Sequence, residues 1–282
     1  MGMGSFSNVY YGELQRHGGE VDVVAVKFSR KITGLSSMLA SHEAKVLSML
    51  SHRNINRYFG VMEDECIPEC GLVLEFVEAE LVEYALCNQA LLPDIVRQML
   101  NGVQHIHSSC IIHGDISPGN IRVKTNGIIV ITDFGLSRFD GQPPSCSTVH
   151  GLNPRYVAPE VLELADEMFR PTKSSDIYSL GMIILQTFSV RYSSVANTND
   201  AGNTARDLSL PFNQFPPRTL SASLFYHLLS GNTPRLDDYE DVRDNIPLRI
   251  VLERCWTKES DRPSIGDLLG MWEVIYPRVE ER

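Results

Sequence analysis

The sequence predicts an α+β fold in which a small β-rich part precedes a larger helical part. In the first third of the chain, apolar and polar residues alternate over short stretches, as in half-buried strands. From Val77 onward, apolar residues recur every three or four positions, as on one face of a helix. Because the strand-like segments come first, we expect residues 1–77 to form the β-rich part and residues 78–282 the helical part.

The composition is typical of an acidic globular protein. The 282 residues are 43% hydrophobic and 21% charged, which allows a substantial buried core. The net charge of −10 argues against a nucleic-acid-binding protein, which usually carries a basic face. No apolar run approaches the roughly 18 residues that span a bilayer, no signal peptide is visible, and the six cysteines are scattered. We therefore expect a cytoplasmic protein without a membrane segment.

The β-rich part is predicted to contain one helix among its strands. Residues 21–28 alternate, which places Lys27 on one face of a strand and the larger apolar side chains on the other. Over residues 37–50 the period becomes helical, and Glu43 falls on the apolar stripe. An unpaired carboxylate on a buried face is costly, so Glu43 needs a partner. Two further apolar runs predict strands: residues 56–62 and 71–77.

The helical part is predicted from its apolar stripes. Residues 93–107 begin with a proline and carry one stripe of isoleucine, methionine and valine side chains. Residues 174–188 are apolar on nearly every side, which predicts a helix that is buried all round. Residues 193–207 carry few side chains that could pack, so we expect a mobile insertion there. Three later segments are predicted to be helical: residues 222–229, 247–255 and 264–275.

A predicted hairpin brings together polar residues that suit a cation. Asn126-Gly127 lies between two apolar runs and favours a two-residue type I′ turn. With that turn, the strands pair outward so that Asn120 lies opposite Asp133, with their Cβ atoms roughly 5 Å apart. Asp115 lies just upstream, and carboxylate and amide oxygens are ligands that Mg²⁺ prefers. The alternative is a polar hairpin end without a metal ion.

Five short motifs follow one another along nearly the whole chain: the glycine-rich residues 2–9, Val24-Ala25-Val26-Lys27, His113-Gly114-Asp115, Asp133-Phe134-Gly135 and Ala158-Pro159-Glu160. Together they resemble the motifs of eukaryotic protein kinases, most closely the tyrosine kinase and tyrosine-kinase-like group. Residues 2–9 resemble that family's glycine-rich loop over the ATP phosphates, and residues 24–27 resemble its strand with the phosphate-anchoring lysine. The resemblance implies a bilobal fold, with an N-lobe in residues 1–77 that lacks most of its first strand and a C-lobe in residues 78–282.

The resemblance also implies a role for each site residue. Asp115 would be the catalytic base, Lys27 would contact the α- and β-phosphates of ATP, and Glu43 would hold Lys27. Asn120 and Asp133 would bind Mg²⁺. The nucleotide would contact Gly2, Gly4, Phe6, Val9, Ala25, Lys27, Leu74, Glu75, Val77 and Arg122. A protein substrate would supply the hydroxyl group that receives the γ-phosphoryl group.

Two structural contacts are expected from the same resemblance. Arg262 matches the arginine that pairs with Glu160 at the end of the activation segment. Asp176 matches the aspartate that supports the catalytic loop from the buried helix. The alternative for Asp176 is an acidic residue near a helix N-terminus, where the macrodipole favours negative charge.

The chain departs from the family pattern at four positions. Ser7 replaces the third glycine of the phosphate loop. Gly114 replaces the arginine that normally pairs with an activation-loop phosphate, so we expect activity not to depend on phosphorylation within residues 145–148 through that pairing. Ser117 replaces the lysine of serine/threonine kinases. Arg122 replaces an apolar residue under adenine, and its stem is expected to lie along the pocket with its head in water.

Three functions are compatible with these motifs. The leading interpretation is an ATP- and Mg²⁺-dependent protein kinase that phosphorylates serine or threonine, with tyrosine as the alternative acceptor. The second is a pseudokinase that binds nucleotide or partners with little turnover. It rests on the missing first strand and on the departures at Ser7, Gly114, Ser117 and Arg122. The third is a small-molecule phosphotransferase, since the His-Gly-Asp loop also resembles aminoglycoside- and choline-kinase-like enzymes. The Ala-Pro-Glu motif, Asp176 and Arg262 argue against that third function.

Overall fold

The computed structural model describes most of the chain. The described residues are 2–3, 7–16, 18–29, 36–64, 67–142, 152–163, 169–190, 210–215 and 222–278. Gly4, Phe6, the segment 145–148 and the predicted insertion at 193–207 lie outside these ranges. Among the helices within them, none is both long enough and apolar enough to cross a membrane.

The N-terminal part is a five-stranded antiparallel sheet with one helix packed against it. Its elements are β1 Gly2–Met3, β2 Ser7–Gln15, β3 Val21–Ser29, α1 Ser36–Met49, β4 Tyr58–Asp64 and β5 Ile67–Glu75. The strand order is β1-β2-β3-β5-β4. Alternation along β3 buries Val24, Val26 and Phe28 together with Val73 of β5, while Lys27 reaches α1 on the other face.

The C-terminal part is mainly helical and is built around α5 Lys173–Ser189. The other elements are β6 Ala79–Glu80, α2 Leu81–Cys87, α3 Leu92–Ser108, β7 Ile111–Ile112, β8 Ile121–Val123, β9 Ile129–Ile131, β10 Arg138–Phe139, α4 Pro159–Glu163, α6 Ala222–Leu229, α7 Glu240–Arg243, α8 Ile246–Cys255 and α9 Ile265–Ile275. Helix α5 is buried on all sides from Ser175 to Phe188 and contacts α2, α3, α7 and α8. The same core includes Val46 and Leu47 of α1, so it continues to the sheet.

The predicted bilobal α+β fold is confirmed, and most element predictions hold. The strand at 21–28 and the helix at 37–50 appear as β3 and α1, and the later helices appear as α3, α5, α6, α8 and α9. Strand β5 ends at Glu75, two residues before the predicted end, so Val77 lies in the connection to β6. The predicted boundary between lobes falls in this same connection.

The predicted hairpin is present, but its loop has three residues instead of two. The N–H of Lys124 donates to the carbonyl of Ile128 at 2.9 Å, and the N–H of Gly127 donates to the carbonyl of Lys124 at 2.9 Å. Gly127 has φ of 78°, the left-handed conformation that ends a three-residue hairpin loop. Gln98 of α3 donates to the Gly127 carbonyl at 3.4 Å and accepts from the Ile129 N–H at 3.0 Å. Tertiary contacts therefore support the longer loop.

The longer loop shifts the strand register by one residue, so the predicted pairing of Asn120 with Asp133 is wrong. Ile121 lies opposite Ile131. Asn120 consequently faces Thr132, whose N–H donates to the Asn120 carbonyl at 2.9 Å. Asp133 has φ of 63° and turns out of the strand. The two polar residues lie at the same end of the hairpin without forming a cross-strand pair.

Candidate active site

Three charged side chains meet between the sheet and the helical part. Lys27 on β3 places its Nζ 2.8 Å from Oε1 of Glu43 on α1 and 2.6 Å from Oδ1 of Asp133. Glu43 is only 3% exposed, and Lys27 supplies the partner that its carboxylate needs in a buried position. Glu43 also accepts a hydrogen bond from the backbone N–H of Phe134. The cluster thus joins β3, α1 and the segment that follows β9.

Attraction within this cluster outweighs the cost of burial for Lys27 and Asp133, whereas burial raises the pKa of Glu43. Burial alone would lower the pKa of Lys27, but the carboxylates of Glu43 and Asp133 outweigh burial and raise this pKa. Burial alone would raise the pKa of Asp133, but Lys27 holds it below its ordinary value. Lys27 is therefore a cation and Asp133 an anion near neutral pH, which suits contact with a phosphate and with a metal ion respectively.

Asp115 and Asn120 lie side by side in the loop before β8. Nδ2 of Asn120 donates to Oδ2 of Asp115 at 2.7 Å and to its carbonyl at 2.8 Å. Burial in the cleft and the negative charge of Asp133 raise the pKa of Asp115 to about 7. A carboxylate with this pKa can exchange a proton near neutral pH. The structure thus gives Asp115 both a fixed orientation and a suitable acidity.

His113 orients the backbone next to Asp115. Its Nδ1 accepts a hydrogen bond from the Asp115 N–H at 3.2 Å, and its Nε2 donates to the carbonyl of Thr132 at 3.2 Å. Burial lowers the pKa of His113, so the ring is neutral and holds one proton on Nε2. This buried ring ties the loop that carries Asp115 to the end of strand β9.

Asp176 on α5 holds the same loop through its backbone. Its Oδ2 accepts hydrogen bonds from the backbone N–H of His113 and from the ring of His107, each at 2.9 Å. Its Oδ1 accepts from the backbone N–H of Gly114 at 3.0 Å. Asp176 is 1% exposed, so these hydrogen bonds are shielded from water. The prediction that Asp176 supports the catalytic loop is confirmed.

Gly114 occupies a position that has no room for a side chain. It has φ of 79°, and a Cβ atom there would lie 2.8 Å from the carbonyl oxygen of Leu136 and 3.0 Å from the ring of Pro171. The conformation itself also disfavours residues with a Cβ atom. The backbone at this position is therefore compatible with glycine and not with the arginine that the family usually carries.

The expected nucleotide contacts on the sheet lie on neighbouring strands. Val9 on β2 is the register partner of Lys27 on β3, and Ala25 on β3 is the partner of Leu74 on β5. Gly2 on β1 pairs with Val9. This arrangement brings the predicted contacts of β2, β3 and β5 into one continuous part of the sheet, beside the Lys27 cluster.

The connection after β5 is held by two side chains that the sequence did not indicate. The backbone carbonyl of Glu75 accepts from Nδ2 of Asn56 at 3.1 Å, and its carboxylate pairs with Nζ of Lys124 at 2.6 Å. Val77 follows two residues later. A polar residue at the start of the predicted strand 56–62 was the available signal for the first contact, and Asn56 is in fact buried. No sequence pattern indicated the second contact.

The guanidinium group of Arg122 was expected to lie in water, but it also contacts two acidic residues. Its Nη1 lies 3.5 Å from Oε1 of Glu80 and 3.4 Å from the carbonyl of Glu78. Glu80 is also its register partner between β6 and β8. The side chain of Arg122 is 31% exposed, so this ion pair is open to solvent. Cross-strand pairing with an acidic residue explains where the guanidinium goes.

Arg262 and Glu160 form the predicted ion pair. Nη1 and Nη2 of Arg262 donate to the two carboxylate oxygens of Glu160 at 2.5 and 3.0 Å. The side chain of Arg262 is 2% exposed and also donates to the carbonyls of Thr257 and Ser174. This bidentate contact fixes the end of the activation segment to the helical core.

The site residues fit the cation and nucleotide that the motifs imply. Lys27 contacts Oδ1 of Asp133, yet the Asp133 side chain is 43% exposed and its carboxylate is accessible from the cleft. Asn120 turns its amide nitrogen to Asp115, which leaves its amide oxygen for another partner. A carboxylate and an amide oxygen at one end of a cleft are suitable ligands for Mg²⁺.

Known protein kinases are similar to this chain over most of its length. The family described as the protein kinase domain matches residues 1–269. Mitogen-activated protein kinase kinase kinase ANP1 from Arabidopsis thaliana is 31% identical over 99% of this chain, and the match covers 47% of that protein. Mitogen-activated protein kinase kinase kinase 2 from the same plant is 31% identical over 76% of this chain and 35% of its own length. Mitogen-activated protein kinase kinase kinase A from Dictyostelium discoideum is 29% identical over 66% of this chain and 20% of its own length.

The chain spans less than half the length of these curated relatives. Their names describe protein kinases, and domains of this family generally use ATP and a divalent metal ion. With a bilobal fold and a family match over residues 1–269, the chain belongs to the protein kinase domain family.

Proposed function

We propose that this chain is an active protein kinase that uses ATP and Mg²⁺ to phosphorylate serine or threonine residues of protein substrates. The observation that carries the proposal is the assembled Lys27 cluster, in which Glu43 and Asp133 contact the same ammonium group. Asp115 and Asn120 lie together in the neighbouring loop. Catalysis of phosphoryl transfer depends mainly on such positioning and charge stabilisation.

Asp115 acts as the base in this mechanism. It accepts the proton of the substrate hydroxyl while the hydroxyl oxygen attacks the γ-phosphorus. The bond between the γ-phosphorus and the β–γ bridging oxygen breaks, which yields a phosphorylated protein and ADP. Asn120 orients Asp115 through the 2.7 Å hydrogen bond, so its carboxylate is held in place before the substrate arrives.

The phosphate end of the nucleotide belongs next to Lys27. The Lys27 ammonium binds the α- and β-phosphates, and Glu43 keeps the ammonium on the cleft side of β3. Asn120 and Asp133 hold Mg²⁺, which supplies positive charge to the phosphate oxygens when it is bound. These assignments place the nucleotide between an N-lobe of residues 1–77 and a C-lobe of residues 78–282.

The adenine end belongs between the sheet and the connection from β5 to β6 (residues 76–78), which we call the hinge. Val9, Ala25 and Leu74 supply its apolar wall, and the backbones of Glu75 and Val77 meet the base. By the family resemblance, Gly2, Gly4 and Phe6 would contact the phosphates through their backbones. Arg122 lies on the opposite side of the base, where its stem replaces the usual apolar floor.

Serine or threonine is the proposed acceptor because of the relatives' names. One relative is named as a probable serine/threonine-protein kinase from Dictyostelium discoideum, and it is 31% identical over 66% of this chain. A different relative, from Caenorhabditis elegans, is named as tyrosine- and threonine-specific, so tyrosine is the alternative acceptor.

A pseudokinase is the second candidate function, and the observation that favours it is the catalytic loop. Gly114 leaves no room for the usual arginine, and Ser117 provides no cation for the γ-phosphate. Loss of one charge of this type reduces rates by about 10²-fold. Such a loss slows the reaction, whereas the retained residues Lys27, Asp115 and Asp133 constitute the site.

Phosphorylation of a generic protein substrate with labelled Mg·ATP tests the proposal. Wild type should label serine or threonine, as phosphoamino-acid analysis would show, and Asp115→Asn should reduce labelling by at least about 10³-fold because the base is lost. Nucleotide binding by both proteins is measured in parallel as a control for folding. Equal background labelling by both proteins, with nucleotide binding intact, would favour the pseudokinase.

A further inference from the structure

The two segments that supply carboxylates to Lys27 are also joined directly to each other. Glu43 lies on α1, and Asp133 begins the segment that leads to β10. The residue next to Glu43 is His42, whose Nε2 donates a hydrogen bond to the backbone carbonyl of Ser137 at 2.9 Å. Lys27, Glu43, His42, Ser137 and Asp133 therefore form a closed ring of contacts, which we call the lysine ring.

The lysine ring is tightly packed. Gly135 lies inside it, and a Cβ atom at Gly135 would come within 3.3 Å of Oδ1 of Asp133, 3.6 Å of Oε2 of Glu43 and 3.7 Å of Nζ of Lys27. Ser137 is 6% exposed, so the carbonyl that accepts from His42 belongs to a buried residue. The hydrogen bond itself is part-buried, so water competes with it less than at an open surface.

The ring of His42 makes a second contact with the same segment. It packs on Phe139 of β10 with the ring centroids 5.7 Å apart and the planes at 79°. Phe139 is fixed from the opposite side, because β10 pairs it with Ile111 of β7. Lys45, one turn after His42 on α1, places its Nζ 5.2 Å from the centroid of the Phe139 ring. Helix α1 thus contacts the segment through two side chains, His42 and Lys45, that lie one turn apart on the same face.

This docking does not involve the arginine that the family uses. Gly114 stands at that position and its backbone excludes a side chain. The start of the activation segment is held instead by His42 on α1, by β7, and by an exposed ion pair of 2.9 Å between Asp140 and Lys173. Among these contacts, the His42 hydrogen bond is the one adjacent to Glu43.

We propose that His42 is a positioning residue for phosphoryl transfer: its hydrogen bond to Ser137 keeps Glu43 and Asp133 on Lys27 at the same time, without a phosphate on the activation segment. The inference rests on the proposed kinase activity for its rate effect, but the contact itself can be tested without turnover. The hydrogen bond needs only an N–H donor at Nε2. A glutamine side chain can supply such a donor, whereas phenylalanine keeps the aromatic packing on Phe139 and lacks the donor.

The experiment compares His42→Phe, His42→Gln and the control Ser48→Ala, an exposed serine on the same helix. Phosphatase-treated proteins are assayed for kcat and for KM of the protein substrate, and hydrogen–deuterium exchange is measured over residues 136–140. We expect His42→Phe to lower kcat by about 3- to 10-fold, because one hydrogen bond typically contributes that much. The KM of the protein substrate should not change. Backbone exchange in 136–140 should become faster in this variant, and His42→Gln should restore both values.

Two results would overturn the proposal. One is unchanged exchange and kcat in His42→Phe; the other is an equal loss in His42→Phe and His42→Gln, which would assign the effect to side-chain shape. If wild type itself shows no turnover, the proposed kinase function fails, and the exchange measurement still decides whether His42 fixes the segment. Ser48→Ala should match wild type in both measurements, which separates the contact from general effects on α1.

Discussion

The catalytic loop and the hinge-side hairpin are both held by acidic residues, but in different ways. Asp176 is 1% exposed and accepts three hydrogen bonds, two of them from backbone N–H groups. On the hinge side, Arg122 and Lys124 pair with Glu80 and Glu75 through side chains that are between 22% and 46% exposed.

The core therefore determines the conformation of the catalytic loop, whereas only surface ion pairs hold the hinge side. A buried carboxylate that binds backbone N–H groups fixes the path of the chain, and its loss leaves those donors unsatisfied. A solvent-exposed ion pair contributes little because water and salt compete with it. Substitutions in the catalytic loop should therefore change the free energy of unfolding several-fold more than substitutions on the hinge side.

The largest effect is expected for Asp176→Ala. This change removes the acceptor of His113, Gly114 and His107 and should lower the free energy of unfolding by about 3–5 kcal/mol. Urea denaturation measures the change. Asp244→Ala is the matched control, because the Asp244 side chain is 89% exposed, and it should leave stability within about 0.5 kcal/mol of wild type. A similar small effect of Asp176→Ala would remove the basis of the comparison.

Restoring the family's arginine by Gly114→Arg should damage the catalytic loop. The left-handed backbone and the clash with Leu136 together should cost about 2–4 kcal/mol of stability and reduce kcat. Gly141→Arg separates the two causes, because Gly141 has φ of 80° and no atom within 4 Å of a Cβ position. The control should lose about 1–2 kcal/mol in urea denaturation, from backbone strain alone. A gain in kcat for Gly114→Arg would contradict this account.

The raised pKa of Asp115 predicts two opposite dependences on pH. The base must be ionised, so kcat/KM should rise with pH and level off above about 7. Stability should change the other way, because a carboxyl whose pKa is raised from 3.8 in the folded state stabilises the fold only while it is protonated. This contribution is complete below about pH 4 and lost as pH rises through 7.

Urea denaturation between pH 4 and 8, without nucleotide or Mg²⁺, measures that loss. Asp115→Asn should remove this part of the pH dependence, since an amide does not titrate. Parallel curves for wild type and Asp115→Asn would show that Asp115 has an ordinary acidity in the folded protein.

Ser117→Lys should increase activity, in contrast to Gly114→Arg. Ser117 is half-buried and has an extended backbone that accepts a side chain. A cation there would stabilise charge on the γ-phosphate, so kcat should rise by about 10-fold. Ser117→Met has similar length without charge and should show no gain in the same kinase assay. A matching gain in both variants would point to packing instead of electrostatics.

The smallest effect is expected for Arg122→Leu. It breaks the exposed pair with Glu80 and should change the free energy of unfolding by less than about 1 kcal/mol. An apolar side chain under adenine should also lower KM for ATP by a few-fold. Titration of ATP in the kinase assay and urea denaturation measure the two effects. A loss of stability as large as that of Asp176→Ala would show that the ion pair of Arg122 contributes as much as the buried hydrogen bonds of Asp176.

Local patterns in the sequence predicted much of the fold. The alternation in β3 and the apolar stripe of α1 already assigned Lys27 and Glu43 to particular faces of their elements, and the family resemblance implied that the two side chains pair. The hairpin register was wrong because Asn126-Gly127 indicates a turn but does not set the loop length; contacts with Gln98 of α3 support the longer loop. His42 with Ser137 could not be predicted, because no periodic pattern relates a helix residue to a backbone carbonyl 95 residues away.

The burial of helix α5 on every side has a consequence for how the chain folds. A helix with no exposed face needs all of its neighbours to cover it, and its neighbours α2, α3, α7 and α8 lack a complete core until it is in place. The helical lobe should therefore fold in one cooperative step, in which α5 and its neighbours become protected from exchange together. During synthesis, this step has to wait until α8 has left the ribosome, although the sheet is made first.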